Sequence, residues 1–245
     1  MFKTLWNVIL YKPIYNLLIL LVIFFGGNAG VAVVAVTLLV KIVLLPFTAK
    51  MIKSQVAMKA IEPKLQKIRE EHASDKQIQS KKTFELYKEH KVNPFTGCLL
   101  LLIQFPIIIA VYQVVLGGFG PRPELLYGFV QFPQHVSTMF LGLDISQKSL
   151  VLALIVAGLQ FLQAWLTGRA TTTTAVATTS SNNMQADLQK TMQTQMKYFL
   201  PVMVGFITYS LPAALGLYWA VNILVTIAQE YYIRNRYSKI YERNN

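Results

Sequence analysis

The chain has 245 residues, 54% of them hydrophobic and 14% charged, with a mean hydropathy of +0.44 and a net charge of +12. A soluble domain carries roughly 25% charged residues, so this composition excludes an ordinary soluble fold. The single cysteine, Cys98, excludes an internal disulfide or a cysteine-based metal site.

The charges are clustered. None lies between Lys12 and Lys41, Lys91 and Arg122, Lys148 and Arg169, or Lys197 and Glu230. Each gap can hold a helix of about 20 residues crossing about 30 Å of hydrocarbon. The sequence therefore predicts an all-α membrane protein with a core of five transmembrane helices.

Residues 1–28 come first. The apolar run Ile14 to Phe25, between Lys12 and Gly26, gives only about 18 Å of helix, too short to span. Thr4, Asn7, Tyr11 and Tyr15 recur at helical spacing beside Trp6, the pattern of a helix lying in the interface. A signal peptide or an additional span are the alternatives. Residues 29–48 are the first clear span, β-branched and apolar, with Lys41 its only charge and Pro46 closing it.

Residues 49–93 form a polar insertion with eleven basic and six acidic residues, net +5. Met58, Ile61, Leu65 and Ile68 make an apolar helical stripe. Ala73, Ser74 and Asp75 read as a turn with an N-cap, and Ile78, Phe84 and Tyr87 mark a second helix, so a helical hairpin standing in water is expected.

Residues 94–245 hold four further spans and a basic tail. Asn93-Pro94 starts the second span, which Pro106 should kink. Gly117 to Lys148 reads as a loop, and Ser149 to Thr167 as the third span. Residues 168–190 are a Thr-rich, low-complexity linker. The run from Tyr198 to Gln229 would make one helix of about 48 Å, too long for one span. Leu211-Pro212 divides it, with the fourth span beginning near Met192.

Lys and Arg collect in cytoplasmic loops. Placing the hairpin, the linker and the tail on one side gathers 18 basic residues there and leaves Lys3, Lys12, Arg122 and Lys148 on the other. That orientation puts the N-terminus outside, the C-terminus inside, and the hairpin in the cytoplasm.

Lys41 is the sharpest candidate. A Lys at mid-helix costs about 2.5 to 3.5 kcal/mol on insertion scales. It can snorkel to the headgroups or face a polar cavity between helices. Thr37 lies one turn before it; Tyr218, Asn222, Thr226 and Gln229 form a stripe on the last helix. Gln160 and Gln163 share a face of the third span, and Gln104 and Tyr112 of the second. Each alone is ordinary helix-to-helix glue; together they can line one wet groove. His72, His90 and His135 have no ligand set at metal spacing, and no phosphate loop or nucleophile elbow occurs, so neither an enzyme nor a cofactor is expected.

TLLVKIVLLPFT (Thr37–Thr48), Lys53-Ser54, Glu62-Pro63 and LYKEHKVNPFTGCLLLLIQFPIIIAVY (Leu86–Tyr112) resemble the YidC family of membrane protein insertases and its mitochondrial and chloroplast relatives. The resemblance covers about residues 12–235. It implies a groove open to the cytoplasm and to lipid, in a bacterial inner membrane. The family's groove charge, usually Arg, falls on Lys41, its aromatic pair on Tyr218 and Trp219, and its peripheral helix on about residues 5–25. The implied partners are nascent membrane proteins and lipids, with the Sec translocon and the ribosome as candidates and no small-molecule substrate. A small transporter or channel subunit using Lys41 as a substrate site is the alternative.

Overall fold

The computed structural model describes residues 2–93, 96–117, 119–168 and 198–244. The helix start at Pro94, the linker over 169–197 and the fourth-span start near Met192 lie outside the described residues.

Helix α1 (Phe2–Trp6) passes through one π-helical turn, Asn7–Tyr11, into α2 (Lys12–Phe24). The chain then reverses at Gly26 and Gly27, both at positive φ. A Cβ on Gly27 would sit 2.8 Å from the His135 carbonyl oxygen, so a side chain there would clash as well as strain the turn. Asn28 caps α3 (Ala29–Ala60) by accepting from the Val31 N–H at 3.0 Å.

Pro46 does not close this helix. The chain stays helical through it for 32 residues, about 48 Å. Proline removes one backbone bond and crowds the carbonyl one turn back, and helices in membranes tolerate that loss because neighbouring groups compensate. Two residues on, the Thr48 hydroxyl bonds the Leu44 carbonyl of the same helix at 3.1 Å. Helix α3 therefore runs past the expected end of the first span and carries Met58 with it.

Helices α4 (Glu62–Glu71) and α5 (Lys76–Glu89) follow. The Asp75 carboxylate caps α5, accepting from the N–H groups of Gln77 and Ile78. Met58, Ile61, Leu65 and Ile68 do share one apolar face, closing with Ala57, Leu86, Val92 and Tyr87 into a small cluster separate from the main core. Helix α6 (Thr96–Leu116) contains Pro106 and continues through it.

Residues 119–149 are less open than a loop reading suggests. They contain a 3-10 turn, Pro123–Leu125, and an antiparallel pair, β1 (Met139–Phe140) and β2 (Leu143–Asp144). Helix α7 (Leu150–Gly168) begins at Ser149, whose hydroxyl accepts from the Leu152 N–H. Helices α8 (Leu200–Ser210) and α9 (Ala213–Asn244) are separated at Leu211-Pro212, where the sequence places the break.

Among the described residues, three helices are long and apolar enough to cross a membrane: Thr4–Phe24, Ala29–Ala60 and Ala213–Tyr237. The described parts of α6, α7 and α8 include shorter apolar stretches, Gln104–Leu116, Leu150–Leu166 and Leu200–Ser210.

Association of helices in lipid gains little from hydrophobicity and depends on close packing and hydrogen bonds. The main core accordingly mixes branched residues of α2, α3, α6 and α9 with Ala29, Ala32, Ala110, Ala213 and Ala214. A Cβ on Gly30 would fall 2.4 Å from Phe140 Cβ, and one on Gly205 2.9 Å from Ala157 Cβ. Only glycine lets those pairs approach so far. A second cluster, centred on Val156, Val204, Ala220 and Ile223, joins α7, α8 and α9.

The connection over 117–149 ties the ends of several helices together. Asn16, buried on α2, donates to the Leu125 carbonyl and accepts from the Tyr127 N–H, both at 2.8 Å. Backbone bonds join Ala29 and Gly27 to Ser137 at the head of α3. Others join Ala213 to Gln147 and Ala214 to Ile145 at the head of α9. Helices α3 and α9 thus start from one layer and run the same way.

Candidate functional site

Lys41 lies on α3 with only 8% of its surface exposed. Its Nζ donates to Thr226 Oγ1 on α9 at 2.8 Å, and Thr226 Oγ1 in turn donates to the Asn222 carbonyl at 2.7 Å. The ammonium is therefore directed across the α3–α9 interface, and a polar partner holds it there. Glu230, one turn beyond Thr226, adds its negative field at Lys41.

The polar stripe of α9 follows from its spacing. Tyr218, Asn222, Thr226 and Glu230 recur every four residues and so fall along one side of the helix. Tyr218 is buried, and its hydroxyl accepts from Gln104 Nε2 on α6 at 3.1 Å. From Tyr218 to Thr226 is about 12 Å along the axis. The structure thus pairs Lys41 with Thr226 across α3 and α9, and Gln104 with Tyr218 across α6 and α9, two turns apart on α9 with Asn222 between them.

Asn222 carries a further feature. Its side-chain oxygen is buried and finds no hydrogen-bond partner among the described residues. An orphan amide oxygen in a dry interior costs about 1 to 3 kcal/mol. Gln55 of α3 and Gln229 of α9 have buried orphan oxygens of the same kind, and Arg234 an orphan Nε. All four atoms lie on α3 and α9, from the level of Asn222 to the far end of the pair.

The remaining candidates are arranged differently. Thr37 is buried one turn before Lys41, and its hydroxyl bonds the Val33 carbonyl of its own helix at 2.7 Å. Trp219 packs against the cluster between α7, α8 and α9. Adjacent residues on a helix point about 100° apart, so Trp219 and Tyr218 serve different neighbours. Gln160 and Gln163 are half-buried on α7, which packs against α8 and α9. No group of three or more metal-ligating side chains occurs among the described residues.

Sequence reasoning missed Arg122. Its guanidinium bonds the Tyr11 hydroxyl and the Val114 carbonyl, and lies 5.6 Å from the Tyr15 ring centroid. It fastens the end of α6 to α2. The signal available was the stripe of Tyr11 and Tyr15, which explains itself once a cation is placed between the two rings.

The sequence model of a family described as "60Kd inner membrane protein" matches residues 20–240. A protein of Fusobacterium nucleatum called "Membrane protein insertase YidC" is 35% identical over 210 residues, which cover 86% of this chain and 88% of that one. Proteins of the same name from Pseudomonas paraeruginosa and Francisella tularensis are 31% and 32% identical. The aligned regions cover 86% and 89% of this chain but only 32% and 34% of theirs.

Proposed function

The chain belongs to the YidC family of membrane protein insertases, and from that premise we propose that it inserts nascent membrane proteins through a hydrated polar site between α3, α6 and α9. The observation that carries this reading is a Lys41 ammonium held by Thr226, one turn along α9 from Asn222, whose buried side-chain oxygen has no partner among the described residues. A buried acceptor without a protein partner calls for water or a guest that donates. An ammonium has three donors, and Thr226 takes one.

The mechanism follows from electrostatics. A client whose short outer tail carries carboxylates must move them through hydrocarbon. Water around Asn222 lowers that barrier, and Lys41 attracts the carboxylates in passing. The client's apolar segment then leaves sideways into lipid, driven by its own burial. The exposed, lipid-compatible surface of Leu38, Leu39, Ile42 and Val43 beside Lys41 supports such an exit. No cofactor enters this scheme.

In this reading α3, α6, α7, α8 and α9 are the five spans, and the layer over 117–149 is extracytoplasmic. The distribution of Lys and Arg supports that orientation, with α4, α5 and the C-terminus in the cytoplasm. Helix α2 lies in the outer interface. It is long enough with α1 to cross, but its contacts argue otherwise. Trp6 bonds Gln113 near the end of α6, Tyr11 bonds Arg122, Asn16 bonds Leu125, and Asn28 bonds Met139. A crossing helix would carry Trp6 and Asn28 to opposite surfaces, whereas Trp6 meets the last turn of α6 and Asn28 the segment that follows it. Tags at the C-terminus and at residue 74 should be accessible from the cytoplasm and a tag at Gly120 from outside.

Reconstitution tests the function. Vesicles holding the purified chain should insert a small single-span client with an acidic tail. Flux of small solutes without client insertion would replace this reading by a transporter. Co-purification with the Sec translocon or the ribosome would extend it to those partners.

A further inference from the structure

The β1–β2 turn carries a residue its geometry does not favour. Leu141 sits at φ +50, followed by Gly142 at φ +80. The left-handed region crowds the Cβ of an L-residue, and turns of this kind select Asn, Asp or Gly. Leu141 is nevertheless 88% exposed, so packing within the chain does not account for it. Phe129 and Met139 are exposed as well. From Leu125 to Leu143 there is no Asp, Glu, Lys or Arg.

The base of the turn has the opposite character. The Asp144 carboxylate accepts from the N–H and the hydroxyl of Ser146. Those bonds, with one from Thr138, hold its carboxyl below the usual range, so it stays charged. Lys148 follows four residues later. Phe140 packs on Gly30 in the first turn of α3, which fixes the hairpin at the level where that helix enters the bilayer. Phe24, the last residue of α2, and Phe25 after it are exposed as well.

We propose that the tip of this hairpin, Leu141 with Met139, together with the exposed Phe129 of the same charge-free segment, dips into the headgroup and upper acyl region of the outer leaflet and anchors the connecting layer to lipid. The occupant is lipid because the surface adjoins the spans, lacks charge at its tip and keeps its charges at its base. An exposed apolar side chain on a rim of aromatic residues gains free energy in that region. The assignment of the leaflet rests on the orientation proposed above; contact with lipid does not.

The test is depth-resolved quenching. Leu141→Cys in a Cys98→Ser background carries a small thiol-linked fluorophore, and the protein is reconstituted in phosphatidylcholine–phosphatidylglycerol vesicles. Lipid bearing a nitroxide near the headgroup should quench the probe by about twofold, while iodide should quench it far less than a probe at the exposed Gln134→Cys. Phe129→Cys gives a second reading should the turn variant misfold. Full iodide quenching without nitroxide quenching at both positions would overturn the proposal. Protection from both quenchers would also overturn it, by showing that a second copy or another protein covers the tip. Sidedness is read separately, from whether iodide added outside the vesicles reaches Gln134→Cys. A wrong orientation would therefore not be confused with a failure of lipid contact.

Discussion

The two ends of the helix bundle are built on different principles. The layer over residues 117–149 is tied to four helices, α2, α3, α6 and α9, by named bonds: Asn16 to Leu125 and Tyr127, Arg122 to Tyr11 and Val114, Ala29 to Ser137, and Ala213 to Gln147. Towards the other end, the α3–α9 interface holds a buried ammonium and several polar atoms without protein partners. Beyond it stands a helix pair whose core is one small cluster. Satisfied polar groups rigidify a structure, whereas unsatisfied ones need water or a guest. The difference separates an end held by satisfied bonds from one whose buried polar atoms call for water or a guest.

The comparison breaks most easily at Asn16. Asn16→Ala should remove three hydrogen bonds, strand the Leu125 carbonyl and the Tyr127 N–H, and destabilise the protein by about 3 kcal/mol. Thermal unfolding in detergent reads this directly, and an unchanged midpoint would deny that the layer is held by specific bonds. Leu86→Ala should cost about 2 kcal/mol. That loss should appear as faster hydrogen exchange confined to α4 and α5, because their cluster is separate from the main core. Exchange that rises equally in α2 and α6 would show the two ends to be one cooperative unit.

Lys41 sharpens the contrast through function. Lys41→Ala should slow insertion of an acidic-tailed client on the order of tenfold, which corresponds to about 1.4 kcal/mol. Lys41→Arg should retain most of the activity, because it preserves the charge. A neutral-tailed client should respond less. Equal losses for both clients would assign Lys41 to holding α3 against α9 instead.

Much of this difference could be read from residues alone. Charge-free gaps located the apolar segments, Leu211-Pro212 the break between α8 and α9, and Asp75 the start of α5. The stripe from Met58 to Ile68 foretold the small cluster. In each case a local rule decides, either helical periodicity or a capping side chain. What was not legible depends on partners distant in sequence. Pro46 reads as a stop, yet the helix passes through it. Arg122 reads as a lone outer charge until Tyr11 and Tyr15 are placed around it. Leu141 reads as one more loop residue until its backbone angle is known. Of the candidate groove residues, Tyr218 bonds Gln104, and Thr226, further along the same stripe, bonds Lys41. Trp219 packs elsewhere, because its neighbour already occupies that side of the helix.

The account rests on the polar site being wet. Its most direct test is thiol accessibility in a Cys98→Ser background, with Cys placed at Asn222 and, for contrast, at Val204, buried between α7, α8 and α9. A membrane-impermeant thiol reagent applied from the cytoplasmic side should label Asn222→Cys and leave Val204→Cys unlabelled until the protein is denatured. Equal protection of both positions would mean that the α3–α9 interface is dry, and would contradict the insertion mechanism built on it.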